Sequence, residues 1–420
     1  MASKSASTWP LLGTNFFAGD VVSGLGPYLA IYLLSAYHWK PGGIGMALAA
    51  GSITTVIVQT PAGAFIDATY WKRTVLAVCA ALIGVSAAII VLTNDPPWVV
   101  YGAQIAIGIA CAFLAPGIAA VTLGLVGPQR FTAQTSANQA WNHAGNVFGA
   151  AMGAGLALWW MPDGVFWLIT AMAVGMLFSI AMIDGNAIDH DVARGGITEK
   201  PSDHDGQPSG LLTLLSDRRL VIFAVSVVLF HFANAAMLPL VSQKLATGSN
   251  TGLGIAFTSA CIVAAQFFMI PMALLCGARA DMWGRKPLFL AAFAILPIRG
   301  VLYTLDNNAY FLVGVQSLDG LANGIFGVIF LLILADVTHG TGRFNVAQGA
   351  LTTLIGVGAS LSNVIAGWIV QFGGYSAGFL FLAGVAVLGA AIFGLAMPET
   401  APALQQKDDA DDAGLQSSPA

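Results

Sequence analysis

The sequence predicts an all-α membrane protein of twelve transmembrane helices, arranged as two pseudo-symmetric bundles of six. Three observations carry that prediction. Of the 420 residues, 57% are hydrophobic and 9% charged, and the mean hydropathy is +0.79. Soluble domains carry about 25% charged residues, so this chain lacks the polar surface that water demands. Twelve apolar runs each approach the roughly 20 residues needed to cross a bilayer. A polar turn between two such runs, Gly277-Ala278-Arg279-Ala280-Asp281-Met282-Trp283-Gly284-Arg285-Lys286-Pro287, has a weaker copy at 63–73, and one interval of 214 residues separates Gly63 from Gly277 and Asp67 from Asp281.

The runs fall at roughly 10–34, 42–66, 73–93, 98–124, 133–159, 164–184, 219–241, 252–276, 286–305, 309–335, 346–371 and 375–397. The first follows a start with one lysine and no small-residue cleavage site, so it reads as a retained helix. The second and third flank the weaker polar turn, and the eighth and ninth flank the stronger one. Asn94-Asp95-Pro96-Pro97, Pro162-Asp163-Gly164 and Asp306-Asn307-Asn308 are short loops of breaker residues. Residues 1–184 are therefore one six-helix half and 219–397 the other. Residues 185–218 between them are polar, without a helical period through much of their length, and read as a loosely ordered cytoplasmic linker. Leu211 to Leu215 is expected as a short interfacial helix, and 398–420 as a disordered acidic tail.

Further matches support a duplication. Arg130-Phe131 before the fifth run corresponds to Arg343-Phe344 before the eleventh, Gln104 and Gly108 to Gln316 and Gly320, and Pro27 to Pro239, all at an interval of 212 or 213 residues. Parallel six-helix repeats with a solute site between them near the midplane are one recurring plan for secondary transporters. Placing both termini inside puts all of the 16 basic residues except Lys40, Lys244 and Arg299 on the cytoplasmic side. That bias fixes the expected orientation. The Ala- and Gly-rich composition with short loops fits a bacterial inner membrane. The net charge of −4 and the absence of a basic tract argue against nucleic acid. Cys79, Cys111, Cys261 and Cys276 stand at no metal-ligand spacing and read as packing residues.

The repeated turn resembles the signature of the major facilitator superfamily, commonly written G-x-L-a-D-r-x-G-r-k, and the resemblance covers essentially the whole chain. Gly277, Asp281, Gly284, Arg285 and Lys286 match it. The first copy keeps Gly63, Asp67, Lys72 and Arg73 but has Tyr70 where the second glycine belongs. The resemblance implies the twelve-helix fold and a cytoplasmic latch built from these residues. Physically, the aspartate accepts from a helix N-terminus and pairs with the basic residues beside it. Two departures stand out. Gln104 occupies the place where proton-driven drug exporters of the family often carry an arginine in R-x-x-q-G. Gly145, Gly149 and Gly153 form a ladder that permits close helix packing, without the proline of the exporters' G-P-x-x-G-G.

An ionisable side chain at mid-membrane costs several kcal/mol on insertion scales and is a functional candidate by default. Asp20, His143, His231 and Asp319 lie at that depth. Asp20 and His231 stand seven and eight residues before Pro27 and Pro239, in helices that line the central cavity of families resembling this one. An aspartate facing a histidine there takes up and releases a proton. Gln134, Asn138, Asn142 and Asn146 recur every four residues, with Gln139 and His143 beside them. Residues four apart share a helix face, so the fifth helix carries an amide stripe that lines water or solute, or bonds to neighbours such as Gln266 and Asn234. Arg299 and Asp319 form a candidate ion pair. Trp98, Trp159 and Trp160 read as interface residues.

These residues predict a secondary transporter working by alternating access. The expected activity is proton-coupled export of a small cationic or amphiphilic compound. Import of a small organic solute and export of a metal ion are the alternatives. No phosphate-binding loop and no nucleophile-base pair is present, so we expect neither a nucleotide cofactor nor an enzyme. The expected partners are the bilayer, a small-molecule solute and the proton, with the chain acting as a monomer.

Overall fold

The computed structural model describes residues 8–23, 25–93, 97–160, 163–193, 217–247, 250–338 and 344–401. Arg343, the Asn94–Pro96 loop, residues 194–216 of the linker with Leu211–Leu215, and residues 402–420 of the tail lie outside the described residues. Every regular element described is helical. In chain order these are α1 (Thr8–Ser23), α2 (Leu25–Ser35), α3 (Pro41–Ala68), α4 (Lys72–Leu92), α5 (Pro97–Val126), α6 (Pro128–Trp159), α7 (Gly164–Ala181) and α8 (His190–Ala193). They continue with α9 (Arg218–Ala235), α10 (Met237–Thr247), α11 (Thr251–Trp283), α12 (Arg285–Leu305), α13 (Ala309–Thr338) and α14 (Phe344–Ala396).

By length and hydropathy, α3, α4, α5, α7, α11, α12 and α13 are each a membrane crossing, α9 with α10 makes another, and Ala347–Ala396 of α14 another. Two helices are joined within α14 at Gly374, where φ is 81° and ψ 170°. That backbone is open to glycine and strained for other residues, so the eleventh and twelfth crossings turn into one another with no loop. The remaining crossings are α1 with α2, and α6, whose 32 residues carry the amide stripe. The fold is the twelve-helix one that the sequence predicts.

The seventh crossing is interrupted between α9 and α10. A proline has no N–H for the carbonyl four residues earlier, and its ring crowds that carbonyl. Four residues before Pro239 stands Ala235, the last residue of α9. At this break the Ala236 N–H donates to Ser362 Oγ at 3.2 Å, in a buried setting.

The helices group into two compact units. Unit one holds α1–α8 together with Leu238–Val263 and Asn363–Gln371; unit two holds α9, Met237, the rest of α11 and α14, and α12 and α13. Both use the same backbone contact. A methyl built on Gly108 would lie 2.3 Å from Gly51 O in unit one, and one built on Gly320 2.0 Å from Ala265 O in unit two. Close approach of this kind is how helices associate in lipid, where dispersion between well-packed surfaces replaces the hydrophobic drive. Unit two is centred on Phe223, Phe230, Phe289, Phe293, Phe326, Phe330 and Phe393, with Phe230 and Phe326 stacked at 4.5 Å between ring centroids. Trp98, Trp159 and Trp160 project from helix ends and are exposed, in keeping with interfacial positions.

Candidate functional site

In unit one a cavity of about 520 Å³ lies among α1, α5 and α6. Its walls differ in chemistry. From α5 come Cys111, Leu114, Ala115, Ile118 and Ala119; from α6 come Thr135, Asn138, Gln139, Asn142 and Asn146, with Asn15 and Gly19 of α1 between them. The stripe is held in a chain of hydrogen bonds. Gln134 Nε2 donates to Asn138 Oδ1 at 3.0 Å, and Asn138 Nδ2 to Thr122 Oγ1 at 3.0 Å. Asn142 Nδ2 donates to Asn15 O at 3.3 Å and Asn146 Nδ2 to Asn142 Oδ1 at 3.5 Å. Asn138 and Asn146 are buried. Amides bonded to one another along a helix are pre-set in orientation, and amide groups left facing the cavity can donate to or accept from a solute.

The position of α1 against this stripe follows from small residues. A methyl on Gly145 would lie 1.7 Å from Phe16 O, and one on Gly19 2.2 Å from Asn142 O. Any side chain at either glycine would drive α1 away from α6. Asp20 follows Gly19 in α1; its side chain lies outside the described residues. His143 is half-buried, and its Nδ1 has no hydrogen-bond partner among the described residues.

Unit two carries a second polar group that is filled rather than hollow. Arg299 of α12, fully buried, pairs through Nη1 with Asp319 Oδ1 of α13. The same carboxylate accepts from Gln316 Nε2 at 3.1 Å and Asn323 Nδ2 at 2.9 Å. Tyr303 donates its hydroxyl to Gln316 Oε1, and Arg299 lies over the Tyr303 ring at 5.8 Å. Asn234 of α9 joins through Asn323 Oδ1 at 3.4 Å. The predicted ion pair is present, then, within a network of four further side chains. His231 packs edge-on against Phe326, with ring centroids 4.7 Å apart. The Gln266 Oε1 is buried without a partner among the described residues. Asn234 therefore bonds to α13, while Gln134, Asn138 and Asn142 of the stripe bond along α6 itself, to α5 and to α1.

The two signature turns are built differently. Gly284 adopts φ 86° as the residue before α12, the conformation that makes its position a glycine. Arg285, 5% exposed, forks between Asp281 Oδ1 at 2.6 Å and Asp336 Oδ2 at 3.2 Å. Glu399 accepts from the Arg285 N–H at 2.9 Å with one oxygen and from the Lys286 N–H at 3.1 Å with the other. A carboxylate there satisfies orphan amides and complements the positive end of the helix. In the first copy the fully buried Lys72 donates Nζ to Thr69 O at 2.7 Å, and Arg73 Nη1 donates to Ile183 O at 2.6 Å. Asp67 is exposed. A methyl on Gly63 or Gly277 would meet nothing within 4 Å.

Asn15, Thr122, Gln316, Tyr303, Asn323 and Glu399 join these sites although sequence reasoning does not single them out as site residues. Gln316 stands out in the sequence as a repeat marker alone. Glu399 carries a signal, being the first acid after the last apolar run.

The family model of the Major Facilitator Superfamily matches residues 11–296 and 223–419 of the chain. Two proteins of Mycobacterium tuberculosis, from strains H37Rv and CDC 1551 and both named as uncharacterized MFS-type transporters, are 48% identical over 386 residues, covering 92% of this chain and 92% of theirs. Among solved structures, a point mutant of the nucleoside transporter NupG superposes with a TM-score of 0.77 at 13% identity, over 93% of this chain and 100% of that one. Unmutated NupG gives 0.74 at 16% identity, over 94% and 98%. At these identities the likeness is one of fold.

Proposed function

The chain belongs to the major facilitator superfamily, and from that premise we propose that it is a proton-coupled exporter of a small amphiphilic organic compound, working by alternating access of two six-helix halves. We place both termini inside on the distribution of its basic residues, and the chain in a bacterial cytoplasmic membrane on its Ala- and Gly-rich composition with short loops. The observation that carries the substrate class is the cavity among α1, α5 and α6. Its volume of about 520 Å³ falls in the range of roughly 300–1,000 Å³ usual for small-molecule sites. An apolar wall faces an amide and hydroxyl wall, which suits a compound with one greasy and one hydrogen-bonding side. A positive charge on that compound would be met by Asp20, next in the chain to Gly19.

Proton coupling is assigned to Asp20 rather than Asp319. The Asp319 carboxylate is committed to Arg299, Gln316 and Asn323. The signature residues Asp67, Lys72, Arg73, Asp281, Arg285 and Lys286 are assigned to the cytoplasmic gate. A second reading, import of an uncharged organic solute, draws support from the described cavity lining, which carries amides and hydroxyls and no charged side chain.

The test is proton movement in proteoliposomes challenged with tetraphenylphosphonium, a neutral amphiphile such as chloramphenicol, uridine and benzoate. Wild type is expected to move protons with a compound of the first two kinds, and Asp20→Asn to bind that compound without proton exchange. Movement of uridine or benzoate alone, unimpaired in Asp20→Asn, would overturn both the substrate class and the coupling residue.

A further inference from the structure

By the sequence repeat, Leu238–Val263 and Asn363–Gln371 belong to the second half of the chain, yet both pack into unit one. The contacts that hold them there are too close for a side chain. A methyl on Gly45 would lie 2.1 Å from Asn363 O, one on Gly367 2.7 Å from Pro41 O, and one on Gly252 2.5 Å from Ala157 O. These contacts pair the start of α3 with the stretch of α14 before Gly374, and the start of α11 with the end of α6.

Two uncharged hydrogen bonds join the same segments. The Tyr28 hydroxyl of α2 and Ser259 Oγ of α11 lie 2.8 Å apart, and both residues are 1% exposed. Gln371 Oε1 accepts from the Gly42 N–H at 3.1 Å. That amide lies in the first turn of α3, where Lys40 makes no side-chain cap. An orphan donor of a first-half helix is thus satisfied by a second-half side chain.

With both termini inside, α3 and α11 begin at the outer face, and α6 and the eleventh crossing end there. Among the described residues, every second-half segment in unit one comes from the outer part of its crossing. The cavity reaches the other way. Thr122 stands near the end of α5, and Phe131 and Thr135 near the start of α6, helix ends that the same orientation puts inside. The bonds at the outer end are neutral, and each is worth little net, because water replaces either partner once they separate. Contacts of this kind close tightly and part at modest cost.

We propose that Tyr28, Ser259 and Gln371 are the catch of an outer gate, and that the fold described is the form that takes up solute from the cytoplasm with its outer exit shut. Breaking the two bonds frees the second-half segments, opens the path outward and returns the Gly42 amide to water. This inference rests on the transport reading above and deepens it, by naming where the solute enters and which residues time its release.

The test uses the full chain with its four cysteines replaced by serine or alanine, carrying Ser259→Cys or Thr135→Cys, in sealed vesicles of either orientation. A membrane-impermeant sulfonated maleimide should label Ser259→Cys from the outer face only, slowly, and Thr135→Cys from the inner face. Adding Gln371→Met, which keeps the bulk and removes the acceptor, should speed labelling of Ser259→Cys about fivefold, the population shift set by one neutral hydrogen bond. Labelling of Ser259→Cys from the inner face, or a rate that Gln371→Met leaves unchanged, would overturn the catch, even with a lowered melting temperature. No outer labelling of a thiol that reacts once the protein is denatured would overturn the gate; if such a protein still transports, the transport reading stands. Labelling of Thr135→Cys from the outer face alone would overturn the assignment of this fold to cytoplasmic uptake. The expected labelling in a protein that moves no panel compound would instead overturn the proposed substrate class and leave the gate in place.

Discussion

Arg299 shows what a single charge asks of its surroundings in a membrane. Its guanidinium is fully buried and meets one carboxylate. Removing one partner of a buried ion pair strands the other, at a cost of about 3–5 kcal/mol, whereas replacing both with apolar groups is often neutral. Asp319→Asn should therefore lower the melting temperature of the detergent-purified protein sharply, and Arg299→Leu combined with Asp319→Leu should recover most of the loss. If the double variant melts as low as the single, the pair is not the source of the instability. The pairing itself was legible in the sequence, because two opposite charges in adjacent apolar runs have few alternatives. Gln316, Asn323 and Tyr303 were not, since their roles depend on the register of α12 against α13, which spacing within one helix does not set. The amide stripe was legible for the opposite reason: its four-residue period lies within one helix. Asn138→Leu should cut transport by more than it lowers the melting temperature, because it removes a cavity-lining amide as well as its bonds to Gln134 and Thr122. An equal fall in both quantities would mark Asn138 as a packing residue.

The interrupted seventh crossing shows how a local rule acts on a whole element. The break falls where Pro239 leaves the carbonyl four residues earlier without its donor, and that proline is plain in the sequence. Whether the helix bends or divides is not, because that depends on neighbours such as Ser362, which accepts from the Ala236 amide at the break. A proline in a helix interior costs about 3 kcal/mol relative to alanine. Pro239→Ala should accordingly join α9 to α10, slow hydrogen exchange at 235–239 and reduce turnover, with binding of the moved compound preserved. Faster exchange at those amides would show that the break has another cause. The same limit applies to the start of α12. Its glycine and basic pair are a recognisable turn, but its capping carboxylate comes from beyond the last helix, a contact that no local pattern reports.

Across the whole molecule, duplication is deepest in the backbone and shallowest in the side chains. Gly108 and Gly320 make the same contact with a neighbouring carbonyl. Gly108→Ala and Gly320→Ala should each destabilise by about 1–3 kcal/mol, the usual cost of overpacking. A large loss from one and none from the other would mean that the repeated contact is not shared in energy. The side chains have diverged around this common frame: unit one keeps an open amide-lined cavity, and unit two fills its polar centre with an ion pair. Repeat spacing in the sequence revealed the shared frame. It could not reveal the division of labour, because Arg299 and Asp319 correspond to no charged residues in the first half.

The Glu399 carboxylate also has a consequence for biosynthesis. It lies 114 residues after the Arg285 amide that it caps, so a ribosome must finish the twelfth crossing before the ninth receives its cap. A nascent chain halted earlier would present the 277–286 turn with its first helical amides bare, a feature that a membrane protease can distinguish from the finished fold. For the same reason a reporter fused directly after Met397 would remove the cap, while one fused after Ala401 would spare it, and the two fusions should differ in cellular half-life although they differ by only a few residues.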